Sequence, residues 1–365
     1  MSFRPLIVDS HEDLAWGMLT YGRDYTRSVS ETRRAEVGTP SVSQNGDTLL
    51  GWPEFQAGRI GIVFATLFAA PIRHRLHASE SQVYETLEQA REVCLTQLGA
   101  YQKLVAAHPD RFRPVRSQAE LHETLALWTA SPEQEHPVGL VLLMEGADAI
   151  SDLSDLEGWF SDGLRIIGPA WVGTIHAGGW KEPGTLTTSG QRLLKEMERL
   201  RFILDVSHMD VPAASEAMDR YGGPIAATHG NCLALLPGYP SNRQFPDRVI
   251  RGVIDRDGVV GVVPYNVFLK VGWTRAQSNR AEVKLETLTE HIDHICQLAG
   301  DARHVGIGSD FDGGFGLQST PAEIDSIADL QLLVPLLLQR GYSEDQVERI
   351  LGGNWVALLE RGLPA

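Results

Sequence analysis

Long apolar runs, paired cysteines and basic clusters are all missing from this chain of 365 residues. No stretch of about 18 apolar residues is available to cross a bilayer, and the longest candidate, around Leu332 to Leu338, is interrupted by Pro335. The three cysteines, Cys94, Cys232 and Cys296, are odd in number and far apart, which fits neither a disulfide framework nor a cysteine-based zinc knuckle. Three reduced thiols in a cytoplasmic protein are expected instead. Met1 to Pro5 lead straight into an apolar run, leaving no room for a signal peptide's charged and apolar regions, which supports the same location. The formal net charge is −15, and no local cluster of Lys and Arg offsets it, so nucleic acid is excluded as a partner. The phosphate-binding G-x-G-x-x-G turn, the G-x-S-x-G elbow, the Walker loop and the H-E-x-x-H helix are also absent. With them go the dinucleotide-binding, serine-hydrolase, P-loop and zincin readings.

Hydrophobic residues make up 43% of the chain and charged ones 22%, as in a globular protein with a large core. Eight short apolar runs read as buried strands: Leu6 to Val8, Gly61 to Leu67, Val138 to Met144, Leu164 to Ile167, Phe202 to Val206, Pro224 to Ala227, Val259 to Val263 and His304 to Gly308. Helical stretches fall between them. They include Ser79 to Ala107, with its apolar stripe, and a helix begun by the capping-box pattern Ser117 to Glu120. The polar, Gly/Ser/Thr-rich segment Thr20 to Asp47 reads as a loop over the top of the fold, and closing helices are expected over Ile324 to Gln339 and Ser343 to Leu359. Strands alternating with helices predict a (β/α)8 barrel of the TIM type. With no linker or short repeat to divide it, residues 1–365 are read as a single domain.

Ionisable residues gather at the carboxyl ends of these strands: His11 and Asp13 after the first, Glu145 after the third, His208 after the fifth, His229 after the sixth and Asp310 after the eighth. In a barrel those ends form one face, where catalytic groups sit. Charges left there unpaired would each carry a desolvation penalty of several kcal/mol, and a bound cation is the simplest common partner. Imidazoles together with carboxylates suit zinc better than calcium or magnesium. Because the candidates exceed the three protein ligands that one catalytic zinc uses, two divalent ions are expected, roughly 3.5 to 4 Å apart and bridged by a carboxylate and a water or hydroxide. His11 and Asp13 are assigned to one ion, His208 and His229 to the other, and Glu145 to the bridge. Asp310 is then free to carry a proton from the water to a leaving amine.

With these stretches in hand, the chain resembles the membrane (renal) dipeptidases of the amidohydrolase superfamily. The similarity runs through Asp9 to Leu14, Met144 to Gly146, Leu204 to His208, Thr228-His229, Arg243 to Asp247 and Gly306 to Gly313, in the family's order and across nearly the whole chain. It implies a binuclear zinc peptidase acting on dipeptides, often with a D-residue at the C-terminal side, and a possible homodimer. It also implies that Arg243 grips the substrate's terminal carboxylate, a task suited to a guanidinium fork. One departure stands out. Where the family commonly places an oxyanion-steadying histidine after the fourth strand, this chain runs Gly168-Pro169-Ala170-Trp171. Either Trp171, lining the substrate site with its single indole donor, or nearby His176 supplies that function, or turnover falls about 100- to 1,000-fold.

Other readings are a metal-dependent hydrolase of N-acyl amino acids or lactams, and a ligand-retaining barrel that serves as a binding or scaffold protein. Trp16 is read as core or pocket wall, and Asp312 as a support or turn residue. His291 and His294, although at metal-binding spacing on a helix, are placed on a solvated face because Glu290 and Asp293 flank them. His74, His77, His108, His122 and His136 are assigned nothing.

Overall fold

Eight parallel strands close into a ring: β1 (Ile7–Glu12), β2 (Ile60–Phe68), β3 (Val138–Glu145), β4 (Leu164–Gly168), β5 (Ile203–Asp205), β6 (Ile225–Ala227), β7 (Val259–Val262) and β8 (Val305–Ile307). The computed structural model describes residues 3–77, 80–131 and 134–365. Neighbours in sequence are neighbours in the sheet. The ring closes where β1 lies beside β8, with Asp9 opposite Ile307. β2 pairs with both β1 and β3, bringing Phe68 opposite Glu145. With helices around the ring, this is a TIM-type (β/α)8 barrel.

The interior is filled by alternate strand residues. Val8, Ile62, Phe64, Val141, Leu143 and Ile166 pack in one buried cluster with Trp355 and Leu358 of the helix Asn354–Gly362, which plugs one end of the barrel. The Trp355 ring stands edge-on to Phe64 at 5.4 Å, and its indole donates to the Ile307 carbonyl at 3.0 Å. Gly306 makes room for it, since an added Cβ would lie 2.1 Å from Nε1. The remaining strand residues face outward onto the helices in a larger apolar cluster.

Several local expectations need correction. The segment Thr20 to Asp47 is not a loop throughout, because it contains helices Val29–Glu36 and Pro40–Gln44. Ser28 and Glu31 form a reciprocal capping box on the first, and Pro40 opens the second. The expected helix from Ser79 begins only at Leu87, after a short strand Val83–Tyr84 that pairs with Ala70–Pro71; Ser79 itself lies outside the described residues. Phe112–Pro114 adds a three-residue strand along the start of β3. The Ser117 cap is half a box: its hydroxyl accepts from Glu120 N, but the Glu120 carboxylate turns instead to the Arg116 amide and guanidinium. The closing helices are broken, the first by a 3-10 turn over Ile327–Leu332 and the second by a π turn over Arg349–Gly353. No helix among the described residues is long and apolar enough to cross a membrane.

Candidate metal centre and substrate cavity

β1 delivers His11 fully buried, and Asp13 follows as the first residue beyond the strand, at the N-cap of helix Leu14–Tyr21. Instead of capping that helix, the Asp13 carboxylate accepts from the Thr66 hydroxyl of β2 and stands 3.9 Å from His11 Nε2. Glu145 ends β3. Its Oε1 lies 3.7 Å from His11 Nε2, 2.6 Å from His208 Nε2 and 3.3 Å from His229 Nε2, so one oxygen touches both groups of histidines. Asp310 Oδ1 is 3.9 Å from His11 Nε2. Three overlapping sets have mutually close ligand atoms: His11, Asp13 and Glu145; Glu145, His208 and His229; and His11, His229 and Asp310.

The electrostatics fit a cation. Burial pushes the His11 pKa down to about 3, helped by the Arg243 charge, and holds His208 and His229 well below their usual range. All three imidazoles are therefore neutral near pH 7, with lone pairs free for ligation. Neither His11 nitrogen has a hydrogen-bond partner, an expensive arrangement for a buried polar ring unless an ion takes it up. Burial and mutual repulsion raise the carboxyls, Asp13 to about 6 and Glu145 and Asp310 well above the ordinary value. Divalent charge would relieve that crowding.

Several supporting residues were not singled out from the sequence. Asp205, buried at the end of β5, accepts from Thr228 Oγ1 at 2.6 Å, and Thr228 Oγ1 lies 3.1 Å from His229 Nδ1. With its own proton committed to Asp205, the hydroxyl accepts from His229 Nδ1–H. That fixes the tautomer with Nε2 free. Asp9 Oδ1 likewise accepts from the Ser309 amide at 2.7 Å, joining the first strand to the turn that carries Asp310. Asp312, read from the sequence as a support or turn residue, supports from below, accepting from Tyr25, Thr48 and the Leu49 amide, with the Arg23 guanidinium at 2.9 Å. The sequence signal was an acid two or three residues before a strand-end histidine, in Asp9-Ser10-His11 and Asp205-Val206-Ser207-His208.

A cavity of about 300 Å³ opens over these groups, and Arg243, Trp171 and Trp16 all line it. Arg243 is buried and donates to the carbonyls of Ser207 and His229, two of its five N–H groups. Its charge lies opposite Glu145 and Asp310. Trp171 stands edge-on to Phe68 at 4.7 Å, with its ring 6.4 Å from that of His208. His176 is elsewhere: it is fully buried, with one nitrogen against the Ile150 carbonyl and the other against Ser189 Oγ, and it does not reach the cavity. His291 corrects another expectation. It is buried, not solvated, because its Nδ1 accepts the Cys232 amide, whereas His294 pairs with Asp247 at 2.8 Å on a partly exposed face.

Residues 3–361 match the family model described as membrane dipeptidase, peptidase family M19. A Klebsiella pneumoniae protein described as uncharacterized, in the pqqA 5′ region, is 29% identical over 280 residues, which is 74% of this chain and 96% of that protein. A solved structure of a metallopeptidase described as dipeptidase AC superposes with a TM-score of 0.78 at 28% identity, covering 99% of this chain and 100% of that one. A Rhodobacter sphaeroides metallopeptidase, solved with a phosphinate mimic of L-Ala-D-Ala, gives a TM-score of 0.78 at 27% identity, covering 98% and 99%. The barrel, the buried imidazole and carboxylate sets, and a match from one end of the chain to the other agree: the chain belongs to the membrane dipeptidase family, peptidase family M19, and is a metal-dependent dipeptidase.

Proposed function

We propose that the protein hydrolyses dipeptides with two zinc ions, His11 and Asp13 holding one, His208 and His229 the other, and Glu145 bridging them. The observation that carries this reading is the single Glu145 oxygen within 3.7 Å of all three imidazole nitrogens. Three neutral imidazoles among carboxylates favour zinc over the all-oxygen cations. When bound, the ions would supply Lewis acidity to the scissile carbonyl and lower the pKa of water.

The chain's own groups do the rest. As water oxygen bonds to the carbonyl carbon, Asp310 accepts the water's proton. It returns that proton to the nitrogen as the C–N bond breaks, so the products are two amino acids. Arg243 pairs with the C-terminal carboxylate, and its bonds to the Ser207 and His229 carbonyls hold it in register with the reacting amide. Trp171 rather than His176 is the donor available to the oxyanion, since both His176 nitrogens are engaged away from the cavity. The L-Ala-D-Ala mimic bound by the Rhodobacter sphaeroides relative supports acceptance of a D-residue at the C-terminal side. Residues 1–365 as one domain, a cytoplasmic location and a homodimer complete the proposal.

The direct test is amine release from L,L and L,D dipeptides by zinc-loaded protein. Turnover is expected for members of both series; no turnover of any member overturns the reading. Dialysis against a chelator should abolish that turnover and lower Tm, with zinc restoring both, because ligands that bind only the folded chain stabilise it.

Thr228 provides a second test. Thr228→Val keeps the side chain's shape but removes the hydroxyl between His229 and Asp205, and is expected to weaken zinc binding about 10- to 100-fold in competition with a chromophoric chelator. Thr228→Ser should restore it. Equal affinity in the valine variant would show that the hydroxyl does not orient the ligand.

A further inference from the structure

The cavity walls narrow the substrate class. Among the described residues that line it, every charged group belongs to the reaction centre: Asp13, Glu145, Asp310 and Arg243. The flanks are apolar and largely aromatic. One wall is built by Trp16, Phe68, Trp171, Trp180 and Leu76, with Trp171 and Trp180 edge to face at 6.3 Å. The opposite wall is built by Tyr239, Tyr265, Phe268 and Phe315. There Tyr265 stacks on Phe315 at 4.1 Å and meets Phe268 at 4.9 Å.

We propose that the enzyme is specific for dipeptides whose two side chains are both apolar, preferably aromatic, with Trp180 selecting the N-terminal side chain and Phe268 the C-terminal one. The proposal rests on the dipeptidase reading, with Arg243 on the substrate carboxylate. The Arg243 guanidinium lies 5.4 Å from the Phe268 ring centroid, so a C-terminal residue anchored there puts its side chain against the second wall. The N-terminal side chain then falls on the tryptophan wall, across the metal-ligand groups.

That wall is assembled before substrate arrives. Glu182, two residues after Trp180, receives Arg73 at 2.6 Å and His74 at 2.8 Å, tying the Trp180 loop to the turn that leads into Leu76. Among the described residues lining the cavity, neither wall carries a charged side chain. Lys181 Nζ lies 4.5 Å over the Trp180 ring and Glu80 accepts from the Trp16 indole, but neither is among the lining groups, so a charged substrate side chain would be desolvated with little compensation. A ring gains both buried area and edge-to-face contacts.

Values of kcat/KM for zinc-loaded protein on L-Phe-L-Leu, L-Phe-D-Leu, Gly-Gly, L-Lys-L-Leu and L-Phe-L-Asp test this. The better Phe-Leu isomer is expected to exceed Gly-Gly and both charged dipeptides about 100-fold, since even a single methylene in an apolar pocket is worth 10-fold or more. Trp180→Ala should shrink the Phe-over-Gly preference at the N-terminal position about ten-fold, and Phe268→Ala the corresponding preference at the C-terminal position. A flat profile, or faster cleavage of the glycine or charged dipeptides, overturns the specificity while leaving the dipeptidase reading intact. No cleavage of any dipeptide overturns both. If either variant fails to fold, the wild-type profile alone decides.

Discussion

Asp310→Asn is expected to lower kcat about 100- to 10,000-fold while the protein still binds two zinc ions per chain. Asn keeps the size of the side chain and removes its ability to take a proton. The geometry makes metal content the deciding measurement, because Asp310 is close to His11 and His229 as well as to the cavity. Elemental analysis showing one ion per chain would make Asp310 a ligand instead of the proton carrier. A turnover within a few-fold of wild type would remove it from the reaction altogether. The backbone at Asp310 is left-handed, with φ of 57°, and Asp312 follows at 65°. Asp and Asn tolerate that region better than most residues, so the Asn variant is not expected to strain the turn.

Glu145→Gln should be at least as damaging, and should act on metal content as well as on rate. The amide is nearly isosteric, yet it removes the negative charge from the oxygen shared by His11, His208 and His229. Losing one partner from a buried charged cluster is worth about 3–5 kcal/mol, or on the order of a thousand-fold in affinity. Zinc titration followed by calorimetry should show two tight sites in the wild type, with both weakened in the variant. If only one site weakens, Glu145 belongs to a single ion and the bridging role is wrong. Circular dichroism and Tm of the metal-free proteins separate this from a folding defect.

The barrel was legible because its strands are uniformly buried runs that end in polar residues. Ile7-Val8 before His11, Val141-Leu142-Leu143-Met144 before Glu145, and Ile203-Leu204 before Asp205 announce both the core and the rim. His11, Asp13, Glu145, His208, His229 and Asp310 could be brought together on paper because the ring places all strand ends on one face. What escaped was set by partners rather than by pattern. Phe112–Pro114 is too short to show a period, and it forms because β3 offers it an edge. His291 has charged sequence neighbours, but its helix turns it inward, where the Cys232 amide is waiting for an acceptor. Trp180 and Phe268 sit outside the barrel strands, and only the closed ring reveals that they face the same cavity from opposite sides.

The seam between β1 and β8 also bears on how the enzyme is made. The Ser309 amide meets the Asp9 carboxylate across 300 residues of chain, and the Trp355 plug arrives later still. An emerging polypeptide therefore displays its first histidine long before the acid that completes the centre has been synthesised. The ring cannot close until β8 has been made, and a protein stalled short of it would be left as an open sheet with an exposed edge, a natural target for chaperones and proteases.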